Sequence, residues 1–273
     1  MTDARTTYVH GTHPEEQQRL ADLNALINAH SLAALEPRLG ERMVDFGSGL
    51  GQFSLAVARA TGAPVIGIER SDEQRARAVD LARELGESAN VEFRCGDAAV
   101  PPLTSAEQGS FDVAHARFLL EHVQDPLAVV RAMAAAVRSG GRVVIEDDDH
   151  EVFRPWPEPP GVMLVWRAYM RTYDRLGMDP HVGRRLVQLL AQAGLRPSRS
   201  RLLPFGACSG EPSFVPLVRN LASIFTGARN AILATGGATE AEFELALRSL
   251  AEFETRGDGV FWYTISWAEG RKP

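Results

Sequence analysis

The run Asp45-Phe46-Gly47-Ser48-Gly49-Leu50-Gly51 sets an acid and three alternating glycines just ahead of an apolar stretch that opens at Phe53. Glycines at this density belong where backbone approaches a ligand so closely that a Cβ would collide. Glu69 follows Gly51 by eighteen residues and closes the next apolar run, where a carboxylate can accept hydrogen bonds from both hydroxyls of a ribose. A glycine run alone is weak evidence. Set between a strand and a helix, with an acid closing the following strand, it marks a nucleoside-binding crossover. The spacing also separates the candidate ligands: a dinucleotide site needs glycine three residues after Gly49, and Gln52 stands there. No glycine run leads into Lys followed by Ser or Thr, so a phosphate-cradling loop for ATP or GTP is unsupported.

Further reactive residues fall at later strand ends. His115 and Arg117 close a fourth apolar run, and ligands of doubly wound sheets bind at the carboxyl edge of the strands. His115 is therefore the candidate base or ligand contact, with a structural histidine as the competing reading. Arg117 either recognises an anionic substrate or pairs with a nearby acid. His122 reads as structural. Glu146-Asp147-Asp148-Asp149-His150 closes a fifth run and could in principle hold a divalent cation. Successive strand residues point to opposite sides, so at most two of the three aspartates and the histidine can converge, and no metal site is expected. Asp147 and Asp149 are instead expected to line a substrate pocket. Trp166 and Tyr169 are further lining candidates, although with Tyr173 they recur at helical spacing, which favours core packing. His181 and Arg184 are weaker candidates at the mouth of such a pocket.

These side chains need an alternation of strands and helices behind them. RMVDFG, PVIGIE, VEFRCGD, FDVAHA and RVVIEDDD read as strands. Between them lie a helix ended by Gly62, a helix opened by a Ser71–Gln74 capping box, and a helix from Pro126 to the glycines at 140–141. Helices of this length between strands imply right-handed crossovers and a parallel sheet covered on both faces. A helix over 14–35 precedes them. After Asp149, FRPWPEPPG holds four prolines and reads as a loop, and helices are expected at 161–177 and 180–194. RPSRSRLLPFG reads as a strand and 212–256 as helices, one opened by a Thr239–Glu242 capping box. GVFWYTISWAEG reads as one terminal strand.

The 273 residues carry a formal net charge of −6, with basic residues that are nearly all Arg and scattered. That balance argues against a protein built to neutralise nucleic-acid phosphates. Cys95 and Cys208 lack ligand or disulfide spacing and fit free thiols in a reducing compartment. The polar first residues lack a signal-peptide core, and no run approaches the roughly 18 apolar residues of a membrane span. A cytoplasmic chain, monomeric or homodimeric, is expected, with neither nucleic acid nor membrane as partner.

With these motifs in order, the sequence resembles the class I S-adenosylmethionine-dependent methyltransferases, closest to their small-molecule branch of the ubiquinone/menaquinone type. The resemblance covers about residues 8–200: VDFGSGLGQFS, VIGIERS, VEFRCGDA, FDVAHARFLLEHVQDP and SGGRVVIED stand where that family has its successive motifs. It implies a doubly wound α/β fold, Rossmann-like, with a seven-stranded mostly parallel sheet in the order 3-2-1-4-5-7-6, an N-terminal helix and helical lid insertions. It implies S-adenosylmethionine as donor, S-adenosylhomocysteine as product and a small, partly hydrophobic acceptor. Glu69 would take the ribose, Asp97 the adenine amino group and Ala98 the adenine through its backbone, with Asp45 organising the methionine end. The donor contacts implied are Tyr8, Asp45, Gly47, Ser48, Gly49, Gln52, Glu69, Arg70, Gln74, Gly96, Asp97, Ala98, His115, Ala116 and Arg117, with His10 beside Tyr8 in a segment placed over the donor. The expected organisation is a helical segment at 1–36, a donor-binding core at 37–150, and cap helices with the last two strands at 151–273. The alternatives are a protein of this fold that binds the donor for another reaction or as a non-catalytic partner, and, less consistent with Gln52, a nicotinamide-linked oxidoreductase.

Overall fold

A computed structural model describes residues 27–273. Strand β1 (Met43–Phe46) is buried at every position, and β2 (Val65–Glu69) at all but its last. A strand apolar on both faces belongs inside a covered sheet. Parallel pairing joins β1 to β2, β2 to β3 (Val91–Cys95), β1 to β4 (Phe111–Arg117) and β4 to β5 (Val137–Asp148). The sheet is completed by β7 (Arg196–Pro204) and β10 (Thr264–Arg271), giving the order β3-β2-β1-β4-β5-β10-β7 with β10 antiparallel to β5. With β7 and β10 taken as the sixth and seventh strands, this is the expected 3-2-1-4-5-7-6 order.

The helices of this unit follow from local signals. Residues 27–35 are helical (α1), and α2 (Gln52–Thr61) ends at Gly62, whose left-handed φ of 63° lets its N–H reach Ala58 O. Helix α3 (Asp72–Glu84) opens at Ser71, whose hydroxyl accepts from Gln74 N at 3.3 Å. Only this half of the predicted capping box forms, because Ser71 N–H donates to Glu69 Oε1 at 2.7 Å. Helix α4 (Pro126–Ala136) is capped by Asp125, which accepts from Ala128 N at 3.0 Å. It stops short of the predicted glycines. Val137–Gly141 joins β5 across a register shift, with Phe111 opposite Val137 and then Val113 opposite Arg142. Of the predicted helix at 180–194, Val182–Arg185 forms a 3-10 turn and only Leu186–Gln192 is α-helix (α6).

The chain divides into two compact units. The unit just described comprises residues 27–149, Asp179–Leu203 and Ile265–Pro273; the other holds His150–Met178 and Pro204–Thr264. In the second, β6 (Arg154–Trp156), β8 (Ala207–Cys208) and β9 (Val260–Trp262) form a small antiparallel sheet in the order β6-β9-β8. The proline-rich segment thus yields an edge strand rather than only a loop, since Pro155 can turn its missing N–H away from the sheet. Helices α5 (Val162–Asp174), α7 (Phe214–Gly227), α8 (Arg229–Ala234) and α9 (Glu240–Glu254) complete this unit. The capping box at Thr239 and Glu242 forms in full. The predicted terminal strand is divided at Tyr263: Val260–Trp262 pairs with β6 and β8, whereas Ile265–Arg271 pairs with β5. Among the described residues no helix is long and apolar enough to cross a membrane.

Candidate functional site

The glycine run forms the turn from β1 into α2. Gly47, Gly49 and Gly51 have φ of 70°, 54° and 75°, a conformation that side-chain-bearing residues rarely adopt. At Gly49 a Cβ would project into space whose sole neighbour within 4 Å among the described residues is Gln74 Oε1, at 3.6 Å. At Gly51 the constraint is packing, because a Cβ would lie 2.4 Å from Phe93 Cζ and 2.9 Å from Ala78 Cβ. One glycine keeps a surface open, and the other keeps α2 seated on β3 and α3.

Glu69 clamps this turn to the next crossover. Its Oε2 accepts from Gly49 N at 3.0 Å and its Oε1 from Ser71 N at 2.7 Å. Burial pushes the Glu69 carboxyl above its ordinary range, and the N–H groups of Ser71 and Gly49 pull it back. Two atoms of the same turn, Ser48 Oγ and Gln52 Oε1, are buried without a hydrogen-bond partner among the described residues. Buried polar atoms without partners are costly, so this pair marks a place suited to a polar ligand. At the end of β3, Gly96 N donates to Glu69 O at 3.1 Å. Asp97 is exposed and its Oδ1 accepts from Ala99 N at 2.7 Å, which fixes the loop carrying Ala98. Arg70 is exposed.

His115 lies elsewhere than a base on the ligand edge would. Strand register puts Asp45 opposite His115 and Arg117 opposite Glu146, so all four side chains share one face of the sheet. Ala116, one residue on, faces the other side and is buried in the core with Phe46. His115 Nδ1 stands 2.8 Å from Asp45 Oδ1, and Nε2 stands 3.2 Å from Glu146 Oε1. The ring is 1% exposed, with Asp45 at 3% and Glu146 at 0%. Burial disfavours charge on the imidazole, but the hydrogen bonds it makes to its two carboxylate partners outweigh this and hold its pKa above the usual value. Ser54 Oγ donates to Asp45 Oδ2 at 2.5 Å, and Ser31 Oγ to Glu146 Oε2 at 2.6 Å. Arg117 donates to Ser31 Oγ at 3.0 Å and to Asn28 Oδ1 at 2.8 Å, with its guanidinium 4.9 Å from the Phe53 ring centre. Ser31 thus bridges Arg117 and Glu146. Asn28 and Ser31 escaped the sequence reading. Ser31 interrupts the buried stripe Ile27, Ala34, Leu35, and a polar residue on such a stripe was the available signal.

The acid run separates as strand alternation requires. Asp147 is fully buried, and its Oδ2 accepts from Leu119 N at 3.1 Å and Leu120 N at 2.7 Å, while Oδ1 accepts from Asp148 N at 3.0 Å. It holds the 3-10 turn Leu120–His122 and has no surface with which to line a pocket. Asp149 forms a two-pronged pair with Arg184, at 2.8 and 2.6 Å, and His181 Nδ1 lies 3.4 Å away. His122 Nε2 is 3.4 Å from Glu121 Oε1. In the second unit, Trp166 and Tyr169 are buried in an aromatic cluster. Trp166 donates to His150 O at 2.7 Å, and the hydroxyls of Tyr169 and Tyr173 are 2.9 Å apart. Both serve the core, the reading that helical spacing favoured. Tyr8 and His10 lie outside the described residues.

A family model for the methyltransferase domain matches residues 16–200, and the chain belongs to that family. It is 32% identical over 153 residues to 27-O-demethylrifamycin SV methyltransferase of Amycolatopsis mediterranei (strain S699), covering 56% of this chain and 53% of that protein. It is 44% identical over 108 residues to the ubiquinone biosynthesis O-methyltransferase of Ralstonia nicotianae, covering 39% of this chain and 43% of that one. The chain thus spans about half the length of the curated relatives it matches. In fold it is similar to geranyl diphosphate C-methyltransferase from Streptomyces coelicolor A3(2), solved with Mg2+, geranyl diphosphate and S-adenosyl-L-homocysteine. The TM-score is 0.57 at 16% identity, over 97% of this chain and 87% of that one.

Proposed function

We propose that this chain is an S-adenosylmethionine-dependent methyltransferase that transfers a methyl group to an O, N or C atom of a small, partly hydrophobic metabolite. The observation that carries the reading is the turn Asp45–Gly51 locked onto Glu69, with space at Gly49 and polar atoms at Ser48 and Gln52 that are unfilled and unpartnered among the described residues. Family membership and the sheet order support it. Glu69 would hold the ribose, since each of its carboxylate oxygens accepts one hydrogen bond and keeps further acceptor capacity. Asp97 and Ala98 would receive the adenine, and Asp45 would set the methionine end.

The donor, when bound, supplies an activated methyl group on a sulfonium. The protein's task is then to align the acceptor and exclude water. His115, Asp147 and Asp149 are engaged in internal hydrogen bonds or ion pairs, so none is assigned as a general base. Segments 150–178 and 204–264 depart from the bare fold, and acceptor choice is assigned to them. A cytoplasmic location and a monomeric or homodimeric state belong to the same proposal.

The test is incubation with isotope-labelled donor and a metabolite extract, with labelled products identified by mass spectrometry. Donor binding in calorimetry without any labelled product would favour the non-methylating alternative; nicotinamide binding would favour the oxidoreductase. Glu69→Ala should weaken donor affinity roughly 10- to 100-fold, the worth of hydrogen bonds to a charged group. Unchanged affinity would remove Glu69 from the site.

A further inference from the structure

Two buried carboxylates, Asp45 and Glu146, face one imidazole from opposite sides, and an ionised carboxylate only accepts hydrogen bonds. With both carboxylates ionised, both contacts are satisfied only if each ring nitrogen carries a proton. With His115 as imidazolium, the four side chains Asp45, Glu146, His115 and Arg117 bring two negative and two positive charges together. Isolated buried charge is expensive, so pairing of opposite charges is the state this environment favours. Among the described residues, the groups facing the ring are Asp45 from β1, Glu146 from β5, Arg117 from β4 and, from α2, Phe53, whose ring centre lies 4.4 Å from that of His115.

The same cluster is the anchor of α1. Ser31 donates to Glu146 and accepts from Arg117, and Asn28 accepts from Arg117. At the other end of the helix, Arg142 donates to Leu35 O at 2.5 Å and to Glu41 at 2.7 Å. A continuous hydrogen-bonded path therefore runs from α1 through Ser31, Glu146 and His115 to Asp45, the acid that opens the glycine turn.

We propose that His115 is a positioning residue which, as a buried imidazolium, links the seating of α1 to the orientation of Asp45, so that α1 docking and donor binding are one coupled equilibrium. The coupling to donor rests on the site assignment proposed above; the state of His115 does not. Ser31 and Asn28 set donor affinity from the far end of the path. Coupling of this kind is reciprocal, so the donor must in turn tighten α1.

Histidine 15N NMR on the donor-free protein tests the charge. Both His115 nitrogens should be protonated from pH 6 to 8, and Glu146→Gln should lower the pH at which the ring titrates. A neutral ring at pH 7 overturns the proposal. Hydrogen exchange with and without S-adenosylhomocysteine tests the coupling. The product should slow exchange of the α1 amides, and Ser31→Ala should abolish that slowing and raise the product's dissociation constant about 5- to 50-fold. A Ser31→Ala protein that melts earlier but binds with wild-type affinity shows a merely structural serine and overturns the coupling. Glu69→Ala separates the two failures. If it weakens binding while Ser31→Ala does not, the coupling is wrong; if neither does, the donor-site assignment is wrong and the coupling falls with it.

Discussion

Asp147 shows how a single residue can be placed correctly on the chain and still have another task. It stands at the carboxyl end of β5, yet its oxygens are occupied by the N–H groups of Leu119, Leu120 and Asp148. Burial, followed by the neighbouring charge of Glu121, drives its pKa well above the usual carboxylate value. A folded-state pKa raised above the unfolded one gives a contribution that is fully present below the unfolded pKa. That contribution is lost as pH rises through the folded value. The native state should therefore lose stability through Asp147 as pH climbs from about 4 through its raised folded pKa. Asp147→Asn keeps one oxygen for Leu119 and Leu120, gives up the bond to Asp148 N, and removes the charge. Urea unfolding at a series of pH values from 4 to 8 should show a shallower decline for the variant than for wild type. Parallel curves would mean that Asp147 does not titrate in this range.

At the scale of elements, the glycine turn is set as much by its neighbours as by any ligand. Phe93 of β3 lies where a Cβ would fall at Gly51, at 2.4 Å, and also at Gly67, at 2.5 Å. Gly51→Ala must push this ring aside while adopting a left-handed backbone, at a combined cost of about 2–4 kcal/mol. Phe93→Leu in the same background should return part of that loss, and a double-mutant cycle in urea would measure it. Strict additivity would place the strain elsewhere. The turn itself was legible in the sequence, since glycines followed by Gln52 and then Glu69 fix strand, helix and spacing. Phe93 was not, because nothing in local spacing says which strand lies beneath a helix. The Asp45–His115–Glu146 cluster was hidden for the same reason, as it depends on the register of three strands. The boundary errors were local. Val137 continues an apolar helical pattern but is drawn into β5 by pairing with Phe111. The aromatic run at 260–271 has one strand-like composition but two partners, which composition cannot divide.

For the molecule as a whole, the informative feature is where the last strand goes. The chain passes between its two units repeatedly, at 149–150, 178–179, 203–204 and 264–265, so neither unit is one continuous stretch of sequence. Strand β10 comes last in the chain yet lies between β5 and β7 in the sheet. It pairs with β5 at seven positions from Ile265 to Arg271. Ile265 and Trp267 are both buried, and Arg199 and Arg201 lie over the Trp267 ring at 5.2 and 5.5 Å. Burying two such side chains is worth about 3–6 kcal/mol, a large share of the about 5–15 kcal/mol that holds a domain together. Removal of β10 would also leave β5 without its antiparallel partner and β7 without a place in the sheet. Deletion of 264–273 should therefore abolish cooperative unfolding of the sheet-bearing unit and eliminate its near-ultraviolet circular dichroism, whereas Trp267→Ala should leave a folded but weaker protein, down by about 3–5 kcal/mol. A truncated chain that still unfolded in one sharp transition of wild-type steepness would show that the parallel strands β1 to β5 and their helices suffice.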